Sequence, residues 1–164
     1  ASLRYFNAAG YDPEGKVTGL ERNPANLIPG VMEVACGVRK GMQVFGTDWK
    51  TKDGTCLRDY IHVTDLADAH LRALDHLAKG GATFAVNLGT GSGHSVLEVI
   101  QAAEKVSGRK VNYQAVGRRD GDPEALWATG EKAKSLLGWV PKHSSIESIV
   151  ETTWNAYKAN GLVK

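Results

Sequence analysis

The stretch Gly54-Thr55-Cys56-Leu57-Arg58-Asp59-Tyr60-Ile61-His62-Val63-Thr64-Asp65-Leu66-Ala67-Asp68-Ala69-His70 runs a short β pattern straight into a helix pattern, with no glycine or proline at the join. A strand that hands over directly to a helix belongs to an α/β architecture. Arg58 and Tyr60 stand two apart. Residues i and i+2 of a strand share a face, so both are expected to reach one ligand. A guanidinium presents a fixed fork of donors, and that fork matches phosphate oxygens.

The rest of the chain alternates in the same way. Residues 2–7 alternate as a strand, and 11–25, rich in proline, glycine and charge, reads as a loop. A helix is expected over 26–40, with Pro29 in its first turn, where proline is tolerated. Strands over 43–46 and 59–63 flank a polar, hairpin-like loop at 47–57. The helix 65–79 carries Leu66, Ala67, Leu71, Leu74 and Leu77 at helical spacing. Strand 83–88 is followed by a helix over 95–107, opened by a capping box, Ser95-x-x-Glu98, and stopped at Gly108. Strand 110–116 precedes an arginine-rich loop, and a short helix at 130–137 ends at Gly138. The last helix opens on Ser144-x-x-Glu147, read as a second capping box. Its Ile146, Ile149, Val150, Trp154 and Tyr157 form a core stripe. No repeat or linker interrupts the chain, so residues 1–164 are expected to form a single domain.

Composition excludes several classes. The net charge is +2, and the basic residues are scattered apart from Lys50-Thr51-Lys52 and Arg118-Arg119, so no nucleic-acid partner is expected. Cys36 and Cys56 suit reduced thiols in a cytoplasmic protein better than a disulfide framework. His62, His70, His76, His94 and His143 form no metal-binding spacing. No apolar run approaches the roughly 18 residues of a membrane span, and no signal peptide is visible.

The opening stretch closely resembles the RDYIHVxDLAxAH signature of the UDP-glucose 4-epimerases, within the extended short-chain dehydrogenase family. The similarity continues in order. Leu3-Arg4-Tyr5-Phe6-Asn7-Ala8-Ala9-Gly10 resembles that family's RYFNxxG segment, Asn26-Leu27-Ile28-Pro29 its NLxP helix start, and Gln43-Val44-Phe45-Gly46 the strand whose backbone faces uracil. Asn87-Leu88-Gly89, Arg118-Arg119-Asp120-Gly121-Asp122 and Leu137-Gly138-Trp139 resemble its NLG, RRxGD and LGW motifs.

The resemblance implies the carboxy-terminal part of that fold: a small α/β substrate-binding cap, plus strands that would complete a Rossmann sheet. An amino-terminal NAD-binding half is expected to be absent from the chain. The glycine-rich look-alike Gly89-Thr90-Gly91-Ser92-Gly93-His94 has histidine where the dinucleotide fingerprint needs its last glycine, and it is expected to be structural. The residues four after Tyr5, Tyr11, Tyr60, Tyr113 and Tyr157 are Ala9, Gly15, Thr64, Gly117 and Gly161, so the family's catalytic Tyr-x-x-x-Lys pair is missing.

The implied substrate contacts are Asn7, Asn26, Leu27, Gln43, Val44, Phe45, Arg58, Tyr60, Arg119, Asp122 and Leu126, with Tyr5 and Phe6 touching the nicotinamide end of NAD. Asn26 equally suits a helix cap, and Asp122 a turn residue before Pro123. Leu126 stands where some members carry a bulky tyrosine that excludes acetamido sugars. NAD is the cofactor expected for the complete enzyme and none for this chain alone. The expected partners are a UDP-sugar, an amino-terminal epimerase half in cis or in trans, and further copies of the chain. Besides a UDP-glucose 4-epimerase part, two alternatives stand: part of a UDP-N-acetylglucosamine or UDP-pentose 4-epimerase, and a non-catalytic nucleotide-binding or assembly module.

Overall fold

The structure, a computed structural model, describes residues 1–22 and 24–163; Asn23, in the expected 11–25 loop, and Lys164 lie outside the described residues. The strands are β1 (Ser2–Arg4), β2 (Asn7–Ala9), β3 (Met42–Phe45), β4 (Leu57–Arg58), β5 (Tyr60–His62), β6 (Ala85–Asn87), β7 (His94–Ser95), β8 (Tyr113–Val116) and β9 (Ala125–Leu126). The helices are α1 (Leu27–Ala35), α2 (Val63–Ala78), α3 (Val96–Ser107), α4 (Glu131–Leu137) and α5 (Ile146–Ala159). The α/β class expected from the alternation is the one observed.

The strand expected over 2–7 divides and changes partner. β1 pairs in parallel with β6, Leu3 opposite Val86, and β2 pairs in parallel with β5, Asn7 opposite Tyr60. Tyr5 and Phe6 sit at the crossing, both exposed. Alternating polarity cannot distinguish one strand from two that serve different neighbours. The hairpin expected around 47–57 does not form: β3 pairs in parallel with β8, and β5 with β2. β4 is the centre of a small sheet, antiparallel to β7 and parallel to β9.

Two apolar cores result. In the larger, α1, α3 and α5 pack together through Val31, Met32, Val99, Ala103, Ile149 and Val150, all fully buried. The expected α5 stripe is core throughout. The smaller core gathers Ile61, Leu66, Ala69, Val86, Leu88, Ala133 and Trp139 between α2, α4 and β6. Full burial of such side chains contributes about 1.5–3 kcal/mol each.

The structure corrects the end of α1 and the cap of the last helix, and it shows which face of α2 is covered. α1 stops at Ala35 rather than residue 40, because Gly37 takes a left-handed φ of 80°. The backbone N–H groups of Val38 and Arg39 then fold back onto the Glu33 carbonyl. In α2 the buried face is Asp65, Leu66, Ala69 and Ala73. Of the apolar residues at helical spacing, Leu71 and Leu74 are 66% and 65% exposed. At the last helix the cap is Ser145, whose hydroxyl accepts from the Ser148 N–H. Ser144 instead donates to the Asp65 carboxylate at 2.6 Å and accepts from the His62 N–H at 2.9 Å. The box at Ser95 and Glu98 forms as expected, and Gly108 and Gly138 close their helices in left-handed conformations. Among the described residues no helix is long and apolar enough to cross a membrane.

Candidate nucleotide site

Among the described residues β3 has a strand partner on one edge only. The Met42 and Gly46 N–H groups donate to Asn112 and Val116 across the β8 edge. Successive residues of a strand turn their backbone groups to opposite edges, so Gln43 and Phe45 present theirs to the other side. That free edge borders a cavity of about 350 Å³. Asn7, Asn26, Leu27, Gln43, Val44, Phe45, Arg58, Tyr60, Arg119 and Asp122 all line it. Leu126 lies outside this lining, next to Arg58 in the β4–β9 ladder. Tyr5 and Phe6 lie outside it too, on the exposed crossing between β1 and β2. A second cavity of about 510 Å³ adjoins the first, sharing Asn7, Asn26, Leu27 and Tyr60.

The charged end is built on one carboxylate. Arg119 grips Asp122 with two bonds, Nε at 3.1 Å and Nη2 at 3.0 Å. Arg58 reaches the same carboxylate through Nη2 at 3.3 Å, while its Nη1 donates to the Leu57 and Pro123 carbonyls, each at 2.8 Å. Hydrogen bonds from Arg119 hold the Asp122 carboxyl below the usual carboxylate range; partial burial opposes them, and the charges of Arg119 and Arg58 add to them. Two cations on one anion leave a net positive charge at the cavity wall. Arg58 is largely covered and Arg119 stands out, its guanidinium 5.4 Å from the Phe45 ring centre. Burial pushes the Tyr60 phenol up, so it stays neutral and able to donate.

Arg58 and Tyr60 belong to different strands, β4 and β5, yet both reach the cavity because Asp59 between them turns the other way. The buried Asp59 carboxylate accepts from Thr90 Oγ1 at 2.8 Å and from the N–H groups of Thr90 and Ala128, each at 3.2 Å. Gly91 N–H donates to the Ala128 carbonyl, and Ser92 N–H to Thr90 Oγ1. In the glycine-rich turn Thr90 thus gives both its N–H and its hydroxyl to an anion supplied by the chain, while the Gly91 and Ser92 N–H groups are used within the surrounding loops. A Cβ on Gly89 would stand 2.1 Å from the Ala128 carbonyl oxygen, so this glycine serves close packing.

Asn26 occupies the cap position of α1 in extended conformation, but its side chain makes no cap bond. Its amide therefore remains available to the cavity. Asn7 is partly committed, donating from Nδ2 to the Asp59 carbonyl at 2.8 Å. Sequence reasoning missed Ala25, Gly30, Arg39, Met42, Cys56 and Val96, which share the lining. No local pattern marks them, because they come from the start of α3, the residue before β4, the first turn of α1, the segments flanking α1 and the first residue of β3, and they meet only through packing. Burial raises the Cys56 thiol, which keeps it protonated. Among the described residues no group of histidine, cysteine and carboxylate side chains could hold a metal ion.

The frame is α/β with mostly parallel strand pairs, and it sets the unpaired edge of β3 beside an arginine pair. A sequence model of the NAD dependent epimerase/dehydratase family matches residues 1–89, more than half of the chain, and the chain belongs to that family. It is 50% identical over 157 residues to the UDP-glucose 4-epimerase of Halalkalibacterium halodurans, a match covering 95% of this chain and 47% of that protein. Among solved structures it resembles the UDP-glucose 4-epimerase of Stenotrophomonas maltophila with bound NAD and formylated UDP-arabinopyranose, at a TM-score of 0.92 and 42% identity, covering 97% of this chain and 47% of that one. It resembles the Bifidobacterium longum enzyme in complex with NAD+ and UDP at a TM-score of 0.89 and 43% identity, covering 99% and 48%. The chain spans about half the length of the curated relatives it matches.

Proposed function

We propose that residues 1–164 are the UDP-sugar-binding part of a UDP-glucose 4-epimerase, acting as one domain. The carrying observation is the cavity that brings the free edge of β3 together with Arg58, Arg119 and Asp122. In this reading the uracil lies along Gln43–Phe45, Asp122 accepts from ribose hydroxyls, and Arg58 and Arg119 neutralise the diphosphate. Asn7, Asn26 and Tyr60 donate to sugar and phosphate oxygens, and Leu27 packs on the nucleotide. Leu126 borders the sugar, with room for acetamido or pentose substrates where a tyrosine would crowd them. Tyr5 and Phe6 meet the nicotinamide end of NAD when an amino-terminal half is present. That half supplies the cofactor site and the catalytic pair; in the complete enzyme the bound NAD takes and returns the hydride. The residues of this chain hold the nucleotide while that happens, and the chain alone is inactive. The buried free thiols Cys36 and Cys56 suit a cytoplasmic protein.

Calorimetric titration with UDP tests this. Wild type is expected to bind in the high-micromolar range or weaker, since no second domain preorganises the ligand. Arg119→Ala, at an exposed position, is expected to weaken binding by about tenfold or more, the scale of a charge-assisted contact. Arg58→Ala is expected to abolish it, because the 118–123 loop loses its anchor as well. Equal binding by wild type and both variants would sink the assignment.

A further inference from the structure

Arg39 closes the end of the cavity opposite the arginine pair. It follows the left-handed Gly37, and its guanidinium folds back along α1, with Nη2 3.0 Å from the Glu33 carboxylate. Its Nη1 lies 3.6 Å from the point where a side chain on Gly30 would begin. The guanidinium therefore lies against the first turns of α1 at ordinary van der Waals distance. Along β3, Phe45 stands beside Arg119, while Met42 and Gln43 stand with Arg39 on the lining. A strand rises about 3.3 Å per residue, so the two charged ends are about 10 Å apart. Among the described residues the Arg39 guanidinium has no ion-pair partner besides Glu33 and no hydrogen bond from Nε or Nη1, although five donors are available on it.

Resting on the proposed nucleotide reading, we infer that Arg39 is a base-selecting residue, donating to the C4 carbonyl of a uracil laid along the free edge of β3. The chemistry discriminates by itself. Uracil offers an acceptor at C4 and an N–H at N3. Cytosine offers an amino group at C4, a donor facing a donor, and leaves both unpaired. Glu33 holds the guanidinium in place from the opposite side and is itself largely covered.

The test is titration of UDP and CDP into the 164-residue chain and into Arg39→Gln, Arg39→Lys and Arg119→Ala, with thermal melts to confirm folding. Wild type should prefer UDP by about tenfold or more, the scale set by an unmatched polar pair. Arg39→Gln should bring the UDP:CDP ratio close to one. Arg39→Lys, which keeps a donor-only head group, should retain much of the preference, whereas the acceptor that Gln brings should erase it. Arg119→Ala should weaken both nucleotides and keep the ratio. A wild-type ratio near one, an unchanged ratio in Arg39→Gln, or equal loss of both nucleotides in that variant would overturn the inference while leaving the cleft assignment standing. Failure of wild type to bind either nucleotide overturns both.

Discussion

Asp59 shows how a single carboxylate can hold two distant loops. It accepts from Thr90 and Ala128 while the residues on either side of it face the cavity. Asp59→Asn would turn an amide donor toward backbone donors and strand at least one of them. The expected cost is about 2–4 kcal/mol, with a melting temperature lowered by about 2–4 °C per kcal/mol for a chain of this size; urea and thermal unfolding read it directly. His62 sets a second residue-scale expectation. It is buried, its Nδ1 accepts from the Thr64 N–H and its Nε2 contacts Thr152 Oγ1, so the neutral ring donates from Nε2. Burial holds its pKa below the ordinary 6.5, with His143 acting in the same direction and Asp65 and Asp12 against it. The unfolded chain therefore takes up a proton that the folded chain resists. Stability should be unaffected well above that value and fall as pH drops through it. The urea midpoint should decline from about pH 7.5 to about pH 5.5 in wild type, and His62→Gln should flatten that decline. An equally steep decline in the variant would place the titrating group elsewhere.

At the scale of elements, α2 carries the largest consequence. Leu71, Leu74 and Leu77 line one exposed side, continuous with Leu3 on β1. Apolar patches of this kind draw partners, and β1 adds a strand edge beside them. The chain alone is expected to self-associate at micromolar concentration. Leu71→Lys with Leu74→Lys should give a smaller species by light scattering, while thermal stability stays within about 0.5 kcal/mol of wild type. An unchanged mass would exonerate this face. The same helix shows what periodicity can tell. Spacing gave α2 its extent and its apolar residues, but helical apolar spacing states only that one side wants cover, not which element supplies it. The caps of α3 and α4 were readable because Ser95, Glu98, Gly108 and Gly138 act on their own turns. The cap of α2 was not readable, because His62 is held there by Ser144 and Thr152 from the far end of the chain. In the candidate site, Arg58 and Tyr60 were visible through their spacing in one segment. Arg39 and Val96 were not, since each reaches the cavity only when α1 and α3 pack around β3.

For the whole molecule, the relevant fact is that the chain spans about half of the relatives it matches. Its one glycine-rich turn is filled by Asp59, so NAD should not bind this chain with useful affinity. Saturable binding tighter than about 10 μM, roughly −7 kcal/mol, followed by tryptophan fluorescence, would refute that. Mixing the chain with a separately produced amino-terminal half of a relative should restore epimerase activity in a coupled assay; a monodisperse chain that ignores the added half would instead be an independent binding module. The larger core also imposes an order in time. α5 seals α1 and α3 through Ile149, Val150 and Trp154, and its Thr152 receives both the Tyr11 N–H and the His62 ring. Among the described elements these residues are translated after the others. The faces of α1 and α3 must wait open until then, so in a nascent chain stalled short of residue 146 these two helices should be held by chaperones and cut readily by proteases, and should become resistant only once α5 has emerged.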